Sequence, residues 1–451
     1  MLIRASVPGL SRAAMIGAGG LAVAAAAAAV APGLFLIALT AAAVLCIGLV
    51  VLAAPTAATV AWLFAVGTMP DMWLGDLWSD GPTIIAAMKL AGLAVLGCCV
   101  ARWCIRPDPF NPGFAFLAMF GLGLAHGLHP SLSLGESLRS LLGSAAPFAF
   151  SFANLPRRWS RAVARSVQLI PLFALLLGMV LGALGVRPLF TGQTGLRLAG
   201  PGHPAFLAGF AMAGIWASLL ALLLGGRRRD IVLLGVNFAI LALTGARGPL
   251  AIASVVTVLA LVLAPAPAFP AVRRAALLVT AGLALVALVA LSEEASGIRL
   301  LGILRGDEAG LSGRDLIWPI FRDVRDASPW VGWGVGAGKV LVAEDDPLAR
   351  LLGTTAAHNE YLRIGVDGGW LGLGLLVVMF VAWTWWHTRR LSPTERVVLR
   401  LVMAGFAVHA YTDNVLIATT ASVLFTWVSA AFAGGAGSAQ ARLAQPVLES
   451  A

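Results

Sequence analysis

The chain has 451 residues, 59% of them hydrophobic and 12% charged, with a mean hydropathy of +0.91. That balance excludes a soluble globular domain, because apolar runs of about 17–25 residues, each long enough to cross a bilayer as a helix, recur from end to end. The net charge of +10 is carried by arginine, with Lys89 and Lys339 as the only lysines; in a membrane chain it points to topology and an anionic ligand rather than to nucleic acid.

Membrane helices are predicted near 13–31, 34–52, 56–69, 84–102, 113–128, 137–153, 162–185, 204–224, 231–244, 249–264, 275–291, 359–386, 397–413 and 416–434. The first, behind Arg4 and Arg12, runs straight into further apolar sequence, so it reads as a membrane helix rather than a signal peptide. Several segments are too short to span alone, and merging them leaves about 12 spans. The expected fold is therefore an all-α polytopic membrane protein. Its parts are N-terminal helices (1–292), one long polar loop with short helices (293–358), C-terminal helices (359–434) and a disordered tail (435–451).

Arginine clusters set the orientation. Arg157, Arg158, Arg161 and Arg165, then Arg227–Arg229, then Arg273 and Arg274, then Arg389, Arg390 and Arg396 fall on alternate connections. The positive-inside rule puts those connections and both termini in the cytoplasm. The segments 70–82, 186–203, 244–249 and 293–358, and the turn at Asp413, are then outside. Cys46, Cys98, Cys99 and Cys104 lie in or beside helices without zinc-site spacing and read as small buried apolar residues.

The long outer loop is expected to hold an amphipathic helix over Gly313–Asp326, kinked at Pro319. A glycine-rich turn, Trp330–Gly338, follows; its glycines permit close approach to a ligand, without the lysine and serine of a P-loop. His358 closes the loop where the next helix begins. An imidazole there can accept a hydroxyl proton near neutral pH, or serve as a neutral helix cap.

The other outer-face groups are Arg197, His203, Arg247, Arg314 and Asp413. Arg247, between Gly245 and Gly248, sits where a helix breaks; such breaks line cavities, although the side chain could also snorkel to headgroups. Arg197 and Arg314 are headgroup or salt-bridge arginines singly, and a phosphate-gripping set together. His203 is a candidate supporting group. Asp413 either orients a partner or caps the next helix. Lys89 and the Glu136/Arg139 pair read as structural pairs or snorkelling residues. No acidic pair stands out beside the arginines, so no metal site and no cofactor are expected.

His358-Asn359, nine residues, then Gly369-Trp370-Leu371-Gly372 resembles the H-[NSQ]-x9-G-x-x-[GTY] motif of the bacterial O-antigen ligases. The TGARG turn at Arg247, RLAGPGHP at Arg197 and SGRDLIW at Arg314 are similar to elements of the wider ligase/polymerase superfamily, over roughly 185–415. The resemblance implies a GT-C-type glycosyltransferase of the bacterial inner membrane, active on the periplasmic side. Its donor would be a glycan on undecaprenyl pyrophosphate and its acceptor the lipid A–core oligosaccharide. His358 would act as base and Arg197, Arg247 and Arg314 would bind pyrophosphate. Asp413, His203 and Asn359 would contact substrate. O-antigen polymerase is the rival within the superfamily, and a lipid or polysaccharide transporter the rival outside it.

Overall fold

Apolar runs closed by glycine, proline and capping side chains become helices, because a bilayer offers backbone polar groups no partner but each other. The structure is a computed structural model and describes residues 52–78, 81–192, 196–290, 314–343, 345–352 and 354–443. The helices expected at 13–31 and 34–52 lie outside these residues, as does 291–313. Residues from Thr56 onward group into one unit.

In chain order the described helices are α1 (Pro55–Gly67), α2 (Pro70–Trp78), α3 (Gly81–Trp103), α4 (Gly113–His126), α5 (Leu134–Ala145), α6 (Arg157–Ala183), α7 (Pro204–Gly225), α8 (Arg228–Leu243), α9 (Arg247–Leu263) and α10 (Ala271–Ala290). After the gap come α11 (Arg314–Ala327), α12 (Pro347–Leu352), α13 (Glu360–Thr388), α14 (Pro393–Thr412) and α15 (Thr419–Leu443). The only strands among the described residues are β1 (Phe190–Thr191) and β2 (Arg197–Leu198), an antiparallel pair in the expected 186–203 loop.

Four helices, α3, α6, α7 and α13, are long and apolar enough to cross a membrane; α1, α4, α9 and the Thr419–Gly434 part of α15 are shorter apolar helices. The central one is α7: 83% of its apolar window is buried, against 28% to 44% for the other three. Its small residues admit neighbours closely, as in membrane helix packing. A Cβ on Gly209 would lie 2.8 Å from Thr420 of α15, and one on Gly214 would lie 2.8 Å from Asn237 of α8.

Boundaries shift from expectation where local chemistry decides them. The predicted 137–153 helix is α5 followed by a 3-10 turn, Ala146–Phe152, with Pro147 in its first turn. The capping box of Ser133 and Glu136 starts α5 earlier than its apolar run. In the segment 70–82, expected as a loop, lies α2, and α15 continues past Gly434.

The largest departure is in α13. The apolar run 359–386 predicts one continuous helix, but Gly369 breaks it with φ +59° and ψ −163°. The loop residues Pro329–Gly334 dock into that break. Trp370 and Leu371 donate their N–H groups to the carbonyls of Pro329 (2.7 Å) and Trp330 (3.1 Å). Trp333 and Gly334 donate to the carbonyls of Val366 (2.9 Å) and Asp367 (2.9 Å). Backbone groups released by the break are thus paired again, as burial requires. A Cβ on Gly332 would meet the Gly369 nitrogen at 2.5 Å, so glycines on both sides permit this contact. The glycine-rich turn therefore approaches the protein's own backbone closely, not only a ligand.

The loop carries its own small core, in which Ile317, Trp318 and Phe321 of α11 pack with Ala337, Ala357, Leu362 and Val366. That core fixes the residue immediately before His358.

Candidate active site

The site is built where this loop meets α13. The Trp318 indole N–H donates to the Ala357 carbonyl at 2.9 Å, pinning the end of the loop. His358 then turns the chain in the left-handed region, at φ +46°. Histidine tolerates this conformation better than most residues, and such backbone gathers at functional sites. Asn359 follows as the cap of α13, its Oδ1 accepting the Leu362 N–H at 3.2 Å. It is 3% exposed, and its Oδ1 is taken up by the helix cap.

Asp413 ends α14, its N–H donating to the His409 carbonyl. Its Oδ1 lies 2.9 Å from His358 Nδ1 and also accepts the Asn414 N–H at 2.8 Å. Burial alone would raise the Asp413 carboxyl. The hydrogen bond and charge of His358, the nearby His409 and the Asn414 N–H outweigh it and hold the carboxyl down at about 2. A carboxylate can only accept, so His358 Nδ1 carries the proton in this contact. In the neutral ring Nε2 is then a lone-pair acceptor, and it lies 3.0 Å from the Thr354 hydroxyl. Thr354 Oγ1 in turn accepts the Ala356 N–H at 3.1 Å. The arrangement is a carboxylate-oriented imidazole with a hydroxyl already at the basic nitrogen, the geometry of general-base catalysis.

The pair opens on a cavity of about 530 Å³. His203, His409, Asn414 and Asp71 share its lining, and Lys89, Glu136, Arg139, Ser140 and Lys339 form another part of the wall. His203 caps α7, its Nδ1 accepting the Ala205 N–H at 3.2 Å. Burial, then the charges of Arg197 and Arg187, push this imidazole below its usual range. It favours the neutral form beside His358.

A buried bracket holds the site together from below. Arg363 donates to Glu360 Oε2 (2.5 Å) and to Asp367 Oδ2 (2.8 Å), with all three side chains at most 3% exposed. Glu360 Oε1 accepts the Leu416 N–H at 2.6 Å, which ties the chain after Asp413 to α13. Asp367 Oδ1 accepts the Gly338 N–H at 2.8 Å, which ties the glycine-rich turn to the same helix. One triad thus sets the positions of His358, Asp413 and the loop relative to one another.

The arginines occupy a neighbouring turn. Arg197, on β2, donates from Nε to the Thr244 carbonyl at 2.9 Å. Gly245, at φ +63°, reverses the chain between α8 and α9, and Arg247 opens α9. A Cβ on Gly248 would lie 3.3 Å from Thr412 Oγ1, so this turn abuts the residue before Asp413. Arg197 is therefore bonded to the turn that leads into Arg247, although neither arginine lines the 530 Å³ cavity. Arg314 opens α11, and its side chain lies outside the described residues.

Two lining residues, Lys89 and Lys339, were given no part in the site by sequence. Lys89 is 7% exposed and donates to the carbonyls of Gly143 (3.2 Å) and Ile417 (3.0 Å). It is neither a snorkelling side chain nor half of an ion pair. Lys339 donates to Ser140 Oγ at 3.2 Å. The available signal was that the chain's two lysines, in an arginine-rich protein, both fall where the arginine pattern predicts the outer face. His387 belongs to a separate buried network with Asp108 and Arg106. Among the described residues no three His, Cys, Asp or Glu side chains converge as a metal site requires.

Residues 205–377 match the model of the family described as O-antigen ligase. The match spans α7, the Arg247 turn, the outer loop, His358 and the Gly369 break. No curated protein matches the chain.

Proposed function

We propose that this chain, whose residues 205–377 match the O-antigen ligase family model, moves a glycan from undecaprenyl pyrophosphate to the lipid A–core oligosaccharide, completing lipopolysaccharide. The reaction takes place at the periplasmic face of the bacterial inner membrane, in a bundle of about 12 spans with both termini cytoplasmic. The observation that carries this reading is the Asp413–His358 pair, 2.9 Å apart, opening on a cavity large enough for sugar rings.

The acceptor hydroxyl takes the place that the Thr354 hydroxyl holds at Nε2, 3.0 Å away. His358 accepts its proton as the oxygen bonds to the anomeric carbon, and Asp413 stabilises the imidazolium so formed. The bond from that carbon to the pyrophosphate oxygen breaks, and undecaprenyl pyrophosphate leaves with both electrons. One displacement inverts the carbon. The charge growing on the pyrophosphate is met by Arg197 and Arg247, joined by Arg314 of the loop. His203, whose charged form burial and the nearby arginines disfavour, is suited to hold a sugar hydroxyl. The donor is already activated, so the chemistry calls for no nucleotide.

Within the superfamily, one dominant outer loop directly before the histidine motif favours ligase over polymerase. A transporter would gather its charges near mid-membrane. The test is a host lacking its own ligase: expression of this chain with its native donor restores long-chain lipopolysaccharide. Growth of the carrier-bound glycan as the sole activity would instead identify a polymerase.

A further inference from the structure

The two lysines converge on one wall of the cavity. Lys89 comes from α3 and Lys339 from the 3-10 turn Ala337–Lys339 of the outer loop. Both are bonded near α5: Lys89 Nζ to the Gly143 carbonyl and Lys339 Nζ to Ser140 Oγ. Arg139, beside Ser140, lines the same wall. An ammonium has three N–H donors. Lys89 uses two of them on protein carbonyls and Lys339 uses one, on a hydroxyl.

The nearby acidic groups do not neutralise them. Glu360 and Asp367 are bonded to Arg363. Glu136 is closed in its capping box with Ser133. Asp71 shares the cavity, but among the described residues no carboxylate lies within 4 Å of either ammonium. Lys339 lines the cavity; its side chain as a whole keeps accessible surface, while the ammonium itself is crowded by protein. Two ammonium groups without a bonded carboxylate at a membrane-protein cavity are stabilised when an anion visits them.

Their place decides which anion. The turn that Arg197 bonds and Arg247 follows packs on α14 through Gly248 and Thr412, whereas the lysine wall is carried by α3, α5 and the loop. In an inverting displacement the leaving group and the nucleophile approach from opposite faces of the anomeric carbon. With the pyrophosphate on the arginine turn, the lysine wall falls to the acceptor. We infer that Lys89, Arg139 and Lys339 form a second anion subsite, which binds a phosphate group of the acceptor glycolipid and holds its hydroxyl at His358. This assignment rests on the transferase reading above.

The test uses the full chain in phosphatidylcholine nanodiscs with the native donor. Two acceptors are compared: a phosphate-bearing core glycolipid and the same glycolipid after phosphatase treatment. For the wild type, KM for the acceptor rises about tenfold when phosphate is removed, the size of one charge-assisted contact. Lys339→Met raises KM for the intact acceptor by a similar factor, leaves KM for the donor alone, and no longer distinguishes the two acceptors. Lys339→Arg restores the difference. Lys89 is left in place, since it also ties α3 to α5 and to Ile417. Full discrimination by both Lys339→Met and Arg139→Ala would overturn the inference, as would an effect confined to donor KM. Added phosphatidylglycerol that raises acceptor KM in the wild type but not in Lys339→Met would assign the subsite to bilayer headgroups and overturn the acceptor assignment. Binding of the two acceptors, read by native mass spectrometry without donor, reports on the subsite even if no transfer occurs. Absence of transfer by the wild type counts against the enzymatic reading; equal binding of both acceptors counts against the subsite.

Discussion

His358 Nδ1 and Asp413 Oδ1 lie 2.9 Å apart across 55 residues of sequence, joining the end of the outer loop to the end of α14. The contact fixes the ring's tautomer, and the bracket around Arg363 fixes the two backbones that supply it. Base strength and base position therefore come from different residues, and they can be tested apart.

Asp413→Asn keeps the size of the side chain but offers an N–H to Nδ1. The ring then shifts its proton to Nε2, and the lone pair no longer faces the acceptor. Transfer by the reconstituted variant should fall by about 100- to 10,000-fold, the range expected for loss of an orienting carboxylate. The variant should still fold cooperatively by circular dichroism, but unfold at a somewhat lower temperature at neutral pH, because it lacks the stabilising carboxylate.

Acid and alkali should act through different groups. Asp413 is held at about 2, below the value of about 3.9 for a free aspartate. A depressed carboxyl contributes stability above its unfolded pKa and loses it as pH falls through the folded one. The wild type should lose stability between about pH 4 and 2 more steeply than Asp413→Asn. Burial, then the charge of Arg363, lowers Lys339 to about 8. Its folded form binds fewer protons than the unfolded chain above that pH, so stability should rise from about pH 8 towards 10.5. Thermal unfolding of Lys339→Met across the same range checks this, and should lack that rise.

Gly369→Ala tests the loop's seat in α13. The conformation at φ +59°, ψ −163° costs a residue with a side chain about 1–3 kcal/mol, and the added methyl would also strike the Trp330 backbone. The variant should unfold at lower temperature and lose transfer together with loop docking, read as faster hydrogen exchange over residues 329–334. Gly374→Ala, on the same helix with open space around it, should do neither.

Arg363→Met leaves Glu360 and Asp367 buried without their cation. Breaking one partner of a buried ion pair costs about 3–5 kcal/mol. Denaturant unfolding in detergent should show a loss of that order, and hydrogen exchange should quicken at both Gly338 and Leu416, the two N–H groups that the bracket holds.

Much of the site's membership was legible, because its chemistry needs rare residues in an apolar chain. His358 and Asp413 stand out as outer-face ionisable groups, and the spacing from His358 to Gly369 is visible as a motif. Their pairing was not legible, since it depends on α13 and α14 returning to the same depth. The reason for Gly369 was hidden too: periodicity reports a helix through an apolar run whether or not a loop docks in its middle. Arg197 and Arg247 could be grouped by face, while the link from Arg197 to the turn before Arg247 depends on a hydrogen bond to the Thr244 carbonyl. Lys89 was read as a snorkelling or paired side chain because its two partners are backbone carbonyls, which carry no sequence signature. Asn359 also caps α13, a local role open to prediction from its place before Glu360.

The central claim is that His358 accepts the acceptor's proton. The most direct measurement is glycan transfer by purified His358→Ala in nanodiscs, with donor on its polyprenyl carrier and lipid A–core acceptor, the product resolved by electrophoresis. The account predicts intact folding, retained binding of both substrates and a loss of transfer of at least about 100-fold, the lower end of a general base's contribution. Transfer at the wild-type rate by the folded variant would contradict it.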